Sequence, residues 1–262
     1  GQGIAALIAL GILEKFDLAA LPVDGVASQH LQIEAMKLAF ADVYKYVAEP
    51  RAMRLTPAQM LDDAYLARRA RLIDPKRAQD FGPGHGSQGG TVYLTAADAS
   101  GMMVSFIQSN YMGFGSGVVI PDWGLSLQNR GHGFSLNAGS PNVVAPGKRP
   151  FHTIIPAFLT RDGQPVMSFG VMGGDMQPQG HMQTLVRMLD HGHNPQAACD
   201  APRWRFNLQK RLNLEDGVRA DTVQGLKDLG HALDEINDSY QDYGAGQFIW
   251  RLGDPAVQGY AA

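Results

Sequence analysis

Residues 88–97 read QGGTVYLTAA, and the fourth of them, Thr91, places a hydroxyl directly after two glycines at the head of a strand-like run. Threonine is β-branched and often opens a strand, which is the commoner reading of the local sequence. The other reading is chemical: the Thr91 hydroxyl adds to the Gly90 carbonyl, an ester forms, and hydrolysis frees a new N-terminus at Thr91. Glycine before the bond suits that reading, because it imposes no side chain on a strained geometry. The product would carry its own base, since a freed α-amine has a pKa of about 8 and takes the hydroxyl proton directly or through water.

The elements that would position Thr91 read as a helical first third and a strand-rich remainder, with DFGPGHGSQGG at residues 80–90 as the seam. IAALIALGIL (residues 4–13) reads as a buried helix, too short to cross a bilayer. In HLQIEAMKLAFADVYKYV, Ile33, Met36, Phe40, Val43 and Val47 predict one apolar stripe on a helix. A second helix is expected from Thr56 as cap and Pro57 in the first turn to about Leu72, with Arg68, Arg69 and Arg71 on a solvated face. TVYLTAA and MMVSFIQS flank Asp98-Ala99-Ser100-Gly101 and predict a β-hairpin, as do IIPAFLT and PVMSFGV around Arg161–Gln164. A helix from Met176 to about Leu189 with Met182, Leu185, Val186 and Leu189 on one face follows, and a short one spans Asp221–Gly230. The pattern predicts a layered α+β domain.

Composition excludes several functions. The chain has 262 residues and a net charge of -3, with no basic tract, so it carries no electrostatic footprint for nucleic acid. The single cysteine, Cys199, excludes an internal disulfide and reads as a small buried residue. His191 and His193 in DHGHNP have no third ligand nearby in sequence, so no metal is expected. Asp175 reads as a cap for the helix after the Gly173-Gly174 pair, with a loop-orienting role as the alternative, and Lys148 and Arg149 are expected to brace a loop; His132 reads equally as pocket lining or loop brace.

From Gln29 onward, HLQIEAMKLAFAD, GGTVYLTAADASG, FGSGVV, LSLQNRGHGFS, PNVVAPGKRPFHTIIPAFLTRDG, GVMGGDMQPQ and DHGHNPQAACDAPRW occur in order. In these stretches the chain resembles the γ-glutamyltransferase family of N-terminal-nucleophile hydrolases. The resemblance implies an αββα sandwich, with Gly90-Thr91 as the cleavage site and Thr91 as the nucleophile. It further implies that Ser109 hydrogen-bonds the nucleophile, and that Gly173 and Gly174 form an oxyanion hole from their N–H groups. Residues 1–90 would then be the C-terminal part of a large subunit and 91–262 the small-subunit segment, both in one domain. The resemblance also implies that a longer precursor carries further strands and a substrate-binding arginine before residue 1, and a short closing segment after GYAA.

The substrate pocket departs from the family pattern. Where members that bind the glutamyl α-ammonium group have an asparagine, a glutamine and an aspartate, the matching positions are Tyr111, Arg130 and Gly133; the paired serines that hold the α-carboxylate become His152 and Thr153. A cation at Arg130 repels an ammonium and attracts a carboxylate. The pattern therefore resembles the amidohydrolase branch, which includes oxamate amidohydrolases and cephalosporin acylase-like proteins. It implies an amide hydrolase that releases a small acidic acyl group, with a glutathione-processing transferase or an inactive relative as the alternatives. Expected partners are an amide or γ-glutamyl small molecule and the two subunits of one precursor, a dimer of these being left open, with no cofactor, nucleic acid or membrane span. Cytoplasm and periplasm are both left open as its address.

Overall fold

The computed structural model describes residues 1–82, 90–235 and 243–262. Most of the glycine-rich seam therefore lies outside the described residues. Helix α1 (Gly3–Leu13) is apolar on nearly every side because α2 (Val26–Tyr46), α4 (Asp63–Ala70) and α5 (Met176–Leu185) all pack on it.

Helix α2 holds the expected stripe, but the expectation of a single buried face is corrected. Gln29, His30, Gln32, Glu34, Lys37 and Asp42 are also buried, since α1, α7 (Ala220–Asp228) and β7 (Trp204–Leu208) approach from different sides. The helix expected from Thr56 to Leu72 is two. Thr56 and Gln59 form a capping box on α3 (Pro57–Met60), the chain breaks at Leu61, and Asp62 caps α4 through the Tyr65 N–H. Of its arginines, Arg68 and Arg71 are exposed, whereas Arg69 turns inward to pair with the buried Asp42 at 2.9 Å.

Both predicted hairpins form. β1 (Gly90–Ala97) pairs antiparallel with β2 (Met103–Tyr111), and β5 (Ala157–Arg161) with β6 (Gln164–Val171) through a turn at Asp162 and Gly163, both at positive φ. β6 is extended on its other edge by β10 (Gly246–Arg251) and then β11 (Tyr260–Ala261). Alternation decides the layers. Ser168 and Gly170 of β6 face the β1–β2 hairpin, where Ser168 bonds Thr95 and Gly170 lies under the Tyr93 ring. Met167, Phe169 and Val171 face the other way, into a core with Leu185, Met188, Ala198 and Phe248 from the region of α5, α6 (Pro195–Asp200) and β10. The described residues thus supply strand, strand and helix layers of an α+β stack. On the hairpin's outer side Val92, Leu94, Val104 and Phe106 are exposed, and no described helix covers them.

Helix α5 is buried on all faces, which corrects the expected single apolar face; it continues as a five-residue π turn, Val186–Asp190, and Leu189 is exposed. Its glutamines explain the burial. The side-chain amides of Gln179 and Gln183 each donate to and accept from the backbone of Phe206 and Trp204, so the helix presents β7 with the hydrogen bonds of a neighbouring strand. β7 carries β8 (Arg211–Leu214) and the short parallel β9 (Ala232–Leu233). A two-rung hairpin, β3 (Val119–Ile120) with β4 (Leu125–Ser126), projects from the loop after β2.

Candidate active site

Thr91, Tyr93 and Thr95 share the inner face of β1, opposite Ser109, Ile107 and Ser105 of β2. The Thr91 hydroxyl donates to Ser109 Oγ at 3.2 Å, and the Tyr111 N–H donates to the same oxygen at 2.9 Å. The register slips between Gly90 and Thr91: Gly90 opposes Tyr111, Thr91 opposes Ser109, and Asn110 is the extra residue of a bulge. Tyr111 takes φ +78, a left-handed conformation that is a steric outlier for an aromatic residue. An irregular, strained pairing therefore sits at the Gly90-Thr91 bond. Residue types alone carry no sign of it.

Met172 packs on Tyr93 and Ile107, the cross-strand pair next to Thr91 and Ser109 on the inner face of the hairpin. Gly173 and Gly174 follow at φ +112 and +57, a turn that residues with a Cβ rarely adopt. The Gly173 carbonyl accepts from Met176 N and the Gly174 carbonyl from Gln177 N, joining the turn to the first turn of α5. No described group accepts from the N–H of Gly173 or Gly174. Two free donors at a helix N-terminus are suited to a developing negative charge. Asp175 occupies the N-cap position of α5, but its side chain makes no capping bond, which corrects the expected cap.

Arg130 begins a 3-10 turn, Arg130–Gly133, and is 4 % exposed. Its Nη1 donates to Thr153 Oγ1 at 3.0 Å, and its guanidinium lies 5.4 Å from the centre of the Tyr111 ring. Nη2 is buried without a partner, and no carboxylate among the described residues pairs with it. Burial lowers the pKa of Arg130, the cost of desolvating the guanidinium, and the neighbouring Tyr111 acts in the opposite sense without cancelling it. His152, beside it, is held down to about 4 by burial first and then by the charge of Arg130, so its imidazole is neutral at ordinary pH. His132 lies near Tyr111, ring centres 6.3 Å apart.

Five of the predicted site residues thus form one chain of contacts: Thr91 to Ser109, Ser109 to Tyr111, Tyr111 to Arg130, and Arg130 to Thr153. Two residues absent from the sequence expectations extend and support it. Gln2, fully buried at the head of α1, donates from Nε2 to the carbonyls of both Thr153 and Gly174. Asn129 ties the turn to the end of β2, accepting from Met112 N and donating to the Met112 and Gly115 carbonyls. Asn129 stands directly before Arg130 in sequence, whereas nothing about Gln2 signals its place.

The expected loop brace is seen in Lys148, whose Nζ donates to the Pro141 and Val143 carbonyls, while Arg149 pairs with Glu49. Cys199 is half-buried beside the Gly246 carbonyl rather than fully buried. One group among the described residues has the donors for a metal, the buried His30, Glu34 and His231. The Glu34 carboxylate already holds Lys37 Nζ at 2.7 Å and the Gln79 N–H at 3.2 Å, and the two imidazoles hydrogen-bond each other at 2.8 Å. That cluster reads as an ion-pair and hydrogen-bond network that braces the chain before residue 80 through the Asp74 and Gln79 carbonyls, with His231 Nδ1 left buried and without a partner among the described residues.

A family model for gamma-glutamyltranspeptidase matches residues 1–262. The chain belongs to that family. Among the family's curated members, it is 36% identical over 263 residues to the oxamate amidohydrolase proenzyme of Klebsiella pneumoniae, covering 98% of this chain and 49% of that protein. It is 35% identical over 246 residues to the glutathione hydrolase-like YwrD proenzyme of Bacillus subtilis, covering 90% and 46%. The chain spans about half the length of these members of the family. A solved cephalosporin acylase from Bacillus halodurans superposes with a TM-score of 0.89 at 49% identity, over 98% of this chain and 46% of that one.

Proposed function

We propose that the protein is a self-cleaving amide hydrolase in which Thr91 becomes the N-terminal nucleophile. The observation that carries this reading is the Thr91–Ser109 hydrogen bond at the bulged head of β1, on the hairpin face where Met172, directly before the Gly173-Gly174 turn, packs against Tyr93 and Ile107. In maturation, the Thr91 hydroxyl adds to the Gly90 carbonyl, the Gly90–Thr91 C–N bond breaks, and the resulting ester is hydrolysed. Residues 1–90 and 91–262 would then belong to large and small subunits of one precursor. In turnover, Thr91 Oγ forms a bond to the substrate carbonyl carbon as its proton passes to the freed α-amine. The N–H groups of Gly173 and Gly174 receive the negative oxygen, the amine leaves with the proton, and water releases the acid from the acyl-enzyme.

The acyl group is small and acidic. A buried guanidinium with an unpartnered Nη2, a neutral His152 and the Thr153 hydroxyl together supply donors and no acceptor carboxylate, which suits a carboxylate and disfavours an α-ammonium group. The names of the relatives support the class: one is an oxamate amidohydrolase proenzyme, and a 32% identical protein of a Pseudomonas strain is the acylase ACY 1 proenzyme.

The test is the intact denatured mass of the full-length protein beside its Thr91→Ala variant, followed by turnover of oxamate, acetamide and glutathione. Two fragments meeting at Gly90-Thr91 in the parent alone, with oxamate preferred, are expected. A single uncleaved mass in both would reduce Thr91 to a strand start, and preferred turnover of glutathione would return the pocket to a γ-glutamyl substrate.

A further inference from the structure

Gln2 joins two parts of the site that come from distant stretches of chain. Its Nε2 donates to the Thr153 carbonyl at 2.5 Å and to the Gly174 carbonyl at 2.8 Å, and its backbone N–H donates to the His152 carbonyl at 2.8 Å. The amide orientation follows from the partners: both are carbonyl oxygens, so a reversed amide would set three oxygens against one another. Thr153 in turn accepts from Arg130 Nη1. A continuous hydrogen-bonded path thus runs from Arg130 through Thr153 and Gln2 to Gly174.

Neither loop is held there by regular structure. Residues 151–156 belong to no helix or strand, and Gly173 and Gly174 lie between β6 and α5 at positive φ. The Gly174 carbonyl has one other donor, Gln177 N at 3.2 Å, and no other described donor reaches the Thr153 carbonyl. The Gln2 amide thus holds the C-terminal side of the glycine turn, at the peptide after Gly174, while Met176 N at 2.9 Å holds the Gly173 carbonyl and with it the plane of the Gly174 N–H.

We propose that Gln2 is a positioning residue for catalysis, which sets the oxyanion turn at a fixed distance and orientation from the carboxylate-binding loop. The proposal rests on the amide-hydrolase reading above. Gln2 itself need not touch the substrate. It fixes the separation between the carboxylate held by Arg130 and the carbonyl under attack, and so selects acyl groups of one length.

The experiment uses the full-length protein with Gln2→Met, which keeps the length and volume of the side chain and removes both donors, and Gln2→Glu. Intact mass reads self-cleavage, a melting curve reads folding, and kcat and KM are measured with oxamate and with the longer succinamate. Gln2→Met is expected to cleave and to lower kcat on the preferred amide about a hundredfold, the scale of a small misplacement of reacting groups, while the oxamate-to-succinamate preference shrinks. Gln2→Glu is expected to recover toward the parent as pH falls, because a protonated carboxyl donates to one carbonyl and an ionised one repels both. Should Gln2→Met fail to fold, Gln2→Asn, one methylene short of both carbonyls, gives the same comparison. An active parent whose Gln2→Met variant keeps kcat within twofold and an unchanged preference overturns the role of Gln2 alone. A parent that neither cleaves nor hydrolyses any amide overturns the hydrolase reading and this inference with it.

Discussion

Thr91 and Ser109 face each other across β1 and β2 with their hydroxyls 3.2 Å apart, at the pair where the ladder bulges. Ser109 Oγ receives two donors, the Thr91 hydroxyl and the Tyr111 N–H, so it orients the threonine and helps to hold the strained Tyr111. Removing it with Ser109→Ala should slow self-cleavage about tenfold, the equivalent of one net hydrogen bond, and Ser109→Thr should largely restore it. Time-resolved intact mass of freshly made precursor checks this; equal rates in all three proteins would leave Ser109 without a role at the nucleophile.

Arg130 is buried with an unpartnered Nη2, and no carboxylate among the described residues pairs with it. An anionic ligand that completes its hydrogen bonds gains a charge-assisted pair, which is worth roughly ten- to hundredfold in affinity. Arg130→Gln should therefore raise KM for oxamate by about that factor and leave a neutral amide nearly unchanged. Equal losses on both substrates would remove Arg130 from carboxylate binding.

Gln179 and Gln183 satisfy the backbone of β7 at Phe206 and Trp204. Replacing either with leucine strands a buried N–H and a buried C=O, at a cost of about 1–3 kcal/mol for each group. Gln183→Leu should lower the urea midpoint of the full-length protein clearly, although leucine is the more hydrophobic residue. An unchanged midpoint would mean that β7 finds other partners.

His181 is fully buried, and its Nε2 accepts the Val171 N–H at 3.1 Å, which requires a neutral ring; burial lowers its pKa to about 3. In the unfolded chain the ring returns to about 6.5. Between those values the unfolded state binds the extra proton, so stability is full above about pH 6.5 and falls as pH drops, by at most about 1.4 kcal/mol per pH unit. His152, lowered to about 4, adds in the same direction. His181→Gln, whose amide oxygen can accept the same N–H without titrating, should flatten the fall between pH 6.5 and 5. Urea midpoints across that window give the comparison, and identical slopes would place the acid sensitivity elsewhere.

Local sequence determined those elements whose cause is local. The alternation of Val92, Tyr93, Leu94 and Thr95, with a turn at Asp98–Gly101, suffices for the first hairpin, and Thr56-Pro57 for a helix start. Ordered motifs carried the family, and through it the candidate site residues, of which Thr91, Ser109, Tyr111, Arg130 and Thr153 are linked in one chain of contacts. What depends on several elements meeting at once was decided by tertiary structure. The stripe on α2 could not show that its polar face is buried too, because that burial comes from α1 and from α7 and β7, the last two far away in sequence. Gln179 and Gln183 look like surface residues until β7 lies against them. Gln2 reads as an ordinary polar residue before a helix; its role exists only where the ends of two distant loops come within reach of one amide, since a hydrogen bond depends on distance and direction that sequence spacing does not encode.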